Sequence, residues 1–389
     1  MGKPLLDFEG FHNWLSKNGI SVRYDVIHRE MLVRGVKGFS PTSITACASV
    51  IIHDAIKRDF SGATLSLVEN LLTLEARQNE LNPVLETLEA APPWDGIDRI
   101  NLFSDIVGIT DDFSRTLVSK WLVQALTLAG NDGSESADGI LTFVGGQGIG
   151  KTSAARALAL PGLFREGVYI DFRDKDSLIR ATSEWIVEIG EAETSLRGDM
   201  EKLKAFVTNS TDRVRPPYGR TDIITPRRTS FIATVNSREF LRDQTGNRRF
   251  WTVELADIDL DALRAFNSVQ LWQQVRQIIR AKGDFRLTRE EQRQLAERNS
   301  THEIMLRGEA EIRDIIAQAE TNPQTWEFQL MSVSEFKSSH DVLRGFTVEQ
   351  LGKVLDRLGI EQQRATINGN RSRARRLPVR RIESFLRRA

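Results

Sequence analysis

The chain has 389 residues, 40% hydrophobic and 27% charged, a composition that excludes a disordered polypeptide and leaves room for two or three domains. The lone Cys47 excludes a disulfide framework or a cysteine-based zinc site, the five histidines show no pair at ligand spacing, and no apolar run approaches the ~20 residues of a membrane span. Zero net charge conceals an asymmetry: residues 364–389 hold nine arginines and one acid, whereas the rest carries 44 basic and 52 acidic side chains. A basic end on an acidic body points to a polyanionic partner or, failing that, to a solvated terminus. Met1–Leu6 lacks an apolar leader, so a cytoplasmic, membrane-free protein is expected.

Residues 1–90 read as a helical N-terminal region, with apolar positions at helical spacing in Ile44–Ile56 and Leu65–Leu74. Asn82-Pro83 breaks that pattern, and Ala91-Pro92-Pro93-Trp94-Asp95-Gly96 is a turn cluster read as a hinge. Residues 91–130 read as a helical collar or linker, with a helix over Phe113–Ala129.

Between 131 and 280, short β-rich runs alternate with helical segments such as Ser153–Leu160 and Met200–Thr208. The runs are Ile140–Val144, Val168–Phe172, Trp185–Ile189, Thr229–Val235 and Arg249–Leu255. That alternation predicts an α/β core whose largely parallel sheet is covered on both faces.

Gly145-Gly146-Gln147-Gly148-Ile149-Gly150-Lys151-Thr152 fits G-x-x-x-x-G-K-[ST] and lies between a buried strand and a helix. Its glycines let successive backbone N–H groups and a helix N-terminus face a phosphate. Lys151 would reach the β- and γ-phosphates, and the Thr152 hydroxyl would ligate Mg²⁺. This predicts an NTP-binding P-loop domain that uses Mg²⁺.

Hydrolysis also needs an acid. Trp185–Glu191 is an apolar strand that carries Glu188 and leads to Glu191, and a buried carboxylate there asks for a cation or a hydrogen-bond network. Glu188 and Glu191 are the candidates for metal ligand and water activator, with the division between them open. Ser230–Asn236 is another apolar strand ending in a polar amide, so Asn236 is a candidate γ-phosphate sensor or, equally, a turn former.

Residues 213–228 contain five arginines and one acid, with Pro-Pro and Tyr-Gly turns dividing short β-like runs. A protruding hairpin is expected, with Arg213, Arg215, Tyr218 and Arg220 suited to a nucleic-acid backbone and stacked bases, or to a nucleotide across a subunit boundary. Arg248 and Arg249, just ahead of a strand, read as either an ion-pair cluster or an arginine finger, a device that contributes ~10³–10⁵ in rate.

Residues 281–389 read as a helical C-terminal region with a basic tail. Phe346–Ile360 sets Val348, Leu351, Val354, Leu355 and Leu358 on one face ahead of Asn368-Gly369-Asn370. A small winged-helix or helix-turn-helix module fits this pattern, and so does an amphipathic helix packed on the core.

Taken in order, Pro92–Gly96, Gly145–Thr152, Trp185–Glu191, Lys204-Ala205-Phe206, Asp212–Arg220 and Thr245–Trp251 resemble the virulence-associated protein E family over roughly residues 85–275. That resemblance implies an AAA+-like, superfamily-3-like ATPase of phages and mobile elements, acting in a bacterial host cell as a hexameric replicative DNA helicase. It implies ATP as the nucleotide, Lys151 and Thr152 as its ligands, Glu188 and Glu191 as the acidic motif, Asn236 as sensor, and Arg248 or Arg249 as finger. Only about 90 residues precede the Pro-Pro-Trp turn, without zinc-binding cysteines, so any primer would be made by a separate primase, with a loader as a further candidate partner. The alternatives are a DNA-dependent ATPase switch or remodeller and an origin-binding protein, neither of which unwinds DNA. A small-molecule kinase would have no use for the basic hairpin or tail.

Overall fold

The computed structural model describes residues 2–36, 45–190, 201–214, 223–237, 239–241, 247–367 and 370–381. They divide into two compact units, 1–238 with 246–300, and 239–245 with 301–389.

The first unit begins with α1 (Phe8–Lys17), whose N-cap Asp7 accepts from the Gly10 amide. A hairpin of β1 (Ser21–Asp25) and β2 (Glu30–Arg34) follows, then α2 (Thr45–Ile56), α3 (Leu65–Gln78) and β3 (Glu80–Leu81). The strands form a sheet ordered β2-β1-β3. The N-terminal region is therefore mixed rather than helical. Five-residue strands with only two buried positions, Val22 and Asp25 in β1, leave too short an alternation to stand out beside two long helices.

After α4 (Pro83–Ala90), α5 (Arg99–Ile106) and α6 (Asp112–Ala129), the chain enters its main sheet. The elements that follow are β4 (Ile140–Val144), α7 (Lys151–Leu158), β5 (Phe164–Arg165), α8 (Lys175–Arg180), β6 (Ile186–Ile189) and α9 (201–207). A hairpin of β7 (Thr211–Val214) and β8 (Ile223–Pro226) leads to β9 (Ser230–Val235) and β10 (Phe250–Glu254). The helices α10 (Leu260–Arg264), α11 (Ser268–Arg280) and α12 (Arg289–Ser300) complete the unit.

The sheet is five-stranded and all parallel, ordered β10-β4-β9-β6-β5. Every residue of β4, β6 and β9 is buried, as a sheet covered on both faces requires. The strand expected at Val168–Phe172 does not form. The edge strand is Phe164–Arg165, and beyond it Val168 N donates to Glu188 O at 2.9 Å before the chain turns away.

Three fully buried tryptophans tie the helices to this sheet and to one another, each donating its ring N–H to a backbone carbonyl. Trp121 of α6 reaches Phe231 at 3.0 Å, Trp185 reaches Ala125 at 3.0 Å, and Trp272 of α11 reaches Leu158 at 2.7 Å. Each ring removes roughly 150–250 Å² from water without stranding its N–H. Helix α11 also fixes the Pro92–Asp95 turn, so that turn is not a hinge. Gln270 Nε2 donates to the carbonyls of Pro92 and Pro93, its Oε1 accepts from the Asp95 amide, and Gln273 and Gln274 bind Leu88 O and Arg99 N.

Residues 281–300 belong to this first unit, not to the C-terminal region. Asn299 of α12 donates to the carbonyls of Asn247 and Phe250 and accepts from Thr252 Oγ1 at 2.8 Å, fastening the helix along β10.

The second unit contains α13 (Glu309–Thr321), β11 (Trp326–Met331), α14 (Val333–Ser339), α15 (Val348–Arg357), β12 (Gln363–Ile367) and β13 (Asn370–Arg380). Its antiparallel sheet is ordered β11-β13-β12 over a core of Ile312, Phe336, Leu351, Val354, Leu355 and Leu377. Within the described residues, the basic stretch is thus largely sheet. Ala374, Leu377 and Val379 are buried between arginines, an apolar pattern the charge run hides in the sequence. Among the described residues, no helix is long and apolar enough to cross a membrane.

Candidate functional site

Parallel strands β4, β6 and β9 end on the same side of the sheet, and the glycine loop, Glu188 and Asn236 all lie there. Gly150 caps α7 with φ of 104°, and a Cβ at that position would lie 2.7 Å from Leu260 Cδ2, so the tight entry to the helix requires glycine. The loop directs Lys151, which is only 7% exposed, back across its own glycines. Its Nζ donates to Gly145 O at 2.9 Å, Gly146 O at 2.8 Å and Asn236 Oδ1 at 2.7 Å.

Glu188, at 1% exposure, is satisfied by several neighbours. Its Oε1 accepts from the hydroxyls of Thr152 at 2.7 Å and Thr234 at 2.9 Å, and its Oε2 accepts from Gly167 N at 3.2 Å. These groups line a cleft of about 560 Å³ together with Gln147, Gly148, Glu166 and Gly190. One buried cation and one buried carboxylate, each held by hydrogen bonds from neighbouring groups, face this cleft and are groups that could hold an anion together with a hard metal ion. The Thr152 and Glu188 oxygens are the donors such an ion would prefer.

Lys151, Thr152, Glu188 and Asn236 are therefore brought together as the sequence suggested, and Gly145, Gly146 and Ile149 shape the loop around them. Glu191, Arg215, Tyr218 and Arg220 lie outside the described residues. Arg213 is on β7, exposed. Arg248 and Arg249 are not at the cleft: β10 is parallel to β4, with Phe250 beside Ile140, so the arginines sit at the opposite end of the sheet. Thr234 and Gly167 escaped sequence reasoning. A threonine in an otherwise apolar buried strand was the available signal for the first, and nothing marked the second.

The base of the β7–β8 hairpin is held by charge. Asp212 accepts from Arg227 Nε at 2.7 Å, pairs again with Arg227 Nη2, and pairs with Arg29, whose Nη1 donates to Thr182 Oγ1 at 3.1 Å. Burial alone would raise the Asp212 pKa, but the Arg227 hydrogen bonds and the two cations outweigh it and hold the carboxyl below its ordinary value. Next to it His28 Nδ1 bonds Asp25 Oδ2 at 2.7 Å, and Nε2 pairs with Glu184 Oε2 at 3.2 Å. The Asp25 hydrogen bond, then that to Glu184, raises the His28 pKa to about 10, so the ring is an imidazolium at neutral pH.

A glycine loop between strand and helix at the C-terminal edge of an all-parallel five-stranded sheet defines the class, an α/β domain. Residues 85–304 match the virulence-associated protein E-like domain, more than half of the chain, and the protein belongs to that family. A search of curated proteins finds no match. Among solved structures, the A form apo structure of the NrS-1 C terminal region (305-718) aligns with a TM-score of 0.55 at 14% identity, covering 95% of this chain and 99% of that one. The apo structure of the same region aligns at 0.53 and 15% identity with the same coverage. A JCV helicase aligns at only 0.30 and 14% identity, over 73% of this chain and 88% of that one. The NrS-1 region and this chain share a fold.

Proposed function

We propose that the protein is an ATP-dependent DNA helicase of a phage or other mobile element, hydrolysing ATP at the subunit interfaces of a ring, hexameric by analogy with its family. The observation that carries this reading is the convergence of Lys151, Thr152, Glu188 and Asn236 in one cleft. The sheet order supports an AAA+-like core, because β9 lies between the loop strand β4 and the acidic strand β6.

On ATP binding, Lys151 exchanges the Gly145 and Gly146 carbonyls and Asn236 for β- and γ-phosphate oxygens. Asn236 is then released to orient the attacking water. Thr152 and Glu188 would hold Mg²⁺, which when bound neutralises charge on those phosphates. Glu188, with Glu191, supplies the acidic motif. Arg248 or Arg249 acts on a neighbour's nucleotide, since each is remote from its own cleft. The β7–β8 hairpin, with Arg213, Arg215, Tyr218 and Arg220, grips DNA. In the second unit, the succession α13-β11-α14-α15-β12-β13 and the sheet order β11-β13-β12 support a winged-helix module.

The test compares wild type with Lys151→Ala in ATP hydrolysis and in strand displacement on a forked duplex. Loss of both activities in the variant supports the motor. Turnover with an unopened fork replaces the helicase with a DNA-dependent switch, and a Lys151→Ala variant that still unwinds removes the cleft from the mechanism.

A further inference from the structure

In a winged-helix module the second helix of the pair is the element expected to enter the DNA groove. Here that helix, α15, is poorly suited to a polyanion. Its exposed residues are Val348, Glu349, Lys353 and Asp356, and Lys353 is already paired with Glu349 at 2.8 Å. The neighbouring hairpin is different. From 363 to 381 there are seven arginines and no acid.

One of these, Arg375, is structural. It is 3% exposed and donates to Asp356 Oδ1 at 2.5 Å and to the Ile360 carbonyl, which locks the hairpin to the end of α15. Arg364 and Arg373 are exposed and stand directly opposite each other in the β12–β13 register, and Arg371 occupies the position opposite Thr366. Among the described residues, neither Arg364 nor Arg373 has a carboxylate within 4.0 Å. Like charges at a directly opposed cross-strand position destabilise a sheet. A folded hairpin that keeps two of them face to face, on a rigid mount, is arranged for an external anion.

We propose that the second unit binds duplex nucleic acid through the β12–β13 hairpin rather than through α15, with Arg364 and Arg373 as phosphate contacts. A two-stranded β-ribbon fits the major groove of B-form DNA, so the hairpin can lie along a duplex while α15 remains packed on its own core. The proposal rests on the DNA-binding part of the reading above, not on ATP turnover or unwinding.

The experiment measures fluorescence anisotropy of a labelled duplex of about 30 base pairs with the full chain, without ATP, across a salt series. Arg364→Gln combined with Arg373→Gln should weaken duplex binding at least about tenfold, equally for unrelated sequences, and lower the salt slope by about two, one per lost phosphate contact. Lys353→Gln and Gln350→Ala should leave binding within about twofold. Arg213→Gln reports separately on the other hairpin, and single-stranded DNA serves as the second ligand. The double variant should melt no lower than wild type, because it removes a repulsion; this separates a lost contact from a lost fold. Unchanged duplex affinity in the double variant overturns the proposal, as does a loss confined to Lys353→Gln and Gln350→Ala, which would make α15 the reader. If the double variant loses the duplex while ATP turnover fails in every form, the motor reading falls and this one stands.

Discussion

Two arginine-bearing hairpins differ in how their charge is compensated. At the base of β7–β8, Arg227 is fully buried and shares Asp212 with Arg29, so cations and carboxylate cancel within the fold. On β12–β13, among the described residues, only Arg375 is compensated in that way, and Arg364 and Arg373 face one another in solvent. The first arrangement stores stability in a charge cluster; the second spends some on a surface that a polyanion would relieve. The phosphate cleft resembles the first hairpin, because Lys151 and Glu188 are each satisfied before any ligand arrives. A count of arginines cannot separate these cases. Burial and the presence of a carboxylate partner can.

The sharpest way to break this contrast is to remove a central acid. Asp212→Ala leaves Arg227 buried without its partner and should cost about 3–5 kcal/mol in urea unfolding. The same measurement on Glu349→Ala, whose pair with Lys353 is exposed, should move stability by at most about 0.5 kcal/mol. Equal losses would refute the distinction between buried and surface charge.

In the cleft, Lys151→Ala should reduce ATP turnover by roughly 10²–10³-fold or more with little change in melting temperature. Glu188→Gln should cut turnover by about 10²-fold or more while nucleotide binding, read by a fluorescent ATP analogue, persists. A variant that loses binding and turnover together would place Glu188 in holding the loop rather than in the chemistry.

The charge network also predicts a pH dependence. Because the folded His28 pKa is raised to about 10 from 6.5, its contribution is fully present below pH 6.5 and disappears as pH rises through about 10. The stability difference between wild type and His28→Gln should shrink across that window. Asp212 carries the opposite sign: its lowered pKa gives a contribution present above the ordinary value of 3.8 and lost as pH falls below it. A His28 difference that is flat from pH 6 to about 10 would remove the imidazolium from the network.

The sequence made the core and the cleft legible for one reason. Buried parallel strands are continuous apolar runs, so the polar residues within or beside them, Glu188 and Asn236, stand out. The α2, α3, α6 and α7 segments were legible through their period. What stayed hidden were features settled by partners distant in the chain. Arg29 meets Asp212 across 183 positions, and Gln270 pins a turn 177 positions away at Pro93. The β12–β13 hairpin was obscured differently: its buried apolar residues Ala374, Leu377 and Val379 are scattered among arginines without a clean alternation, and composition alone suggested a tail.

Arg29 lies at the end of the β1–β2 turn with φ of 60°, a backbone posture uncommon outside glycine. Its guanidinium, with the adjacent His28, supplies positive charge to Asp212 and Glu184 of the α/β core. The front of the chain is consequently not an interchangeable module. A core separated from residues 1–90 would keep Arg227 on Asp212 but lose a cation from each of two carboxylates. Any replacement front end that preserved the hairpin's footing would have to present two positive groups from one tight turn, a narrow structural requirement.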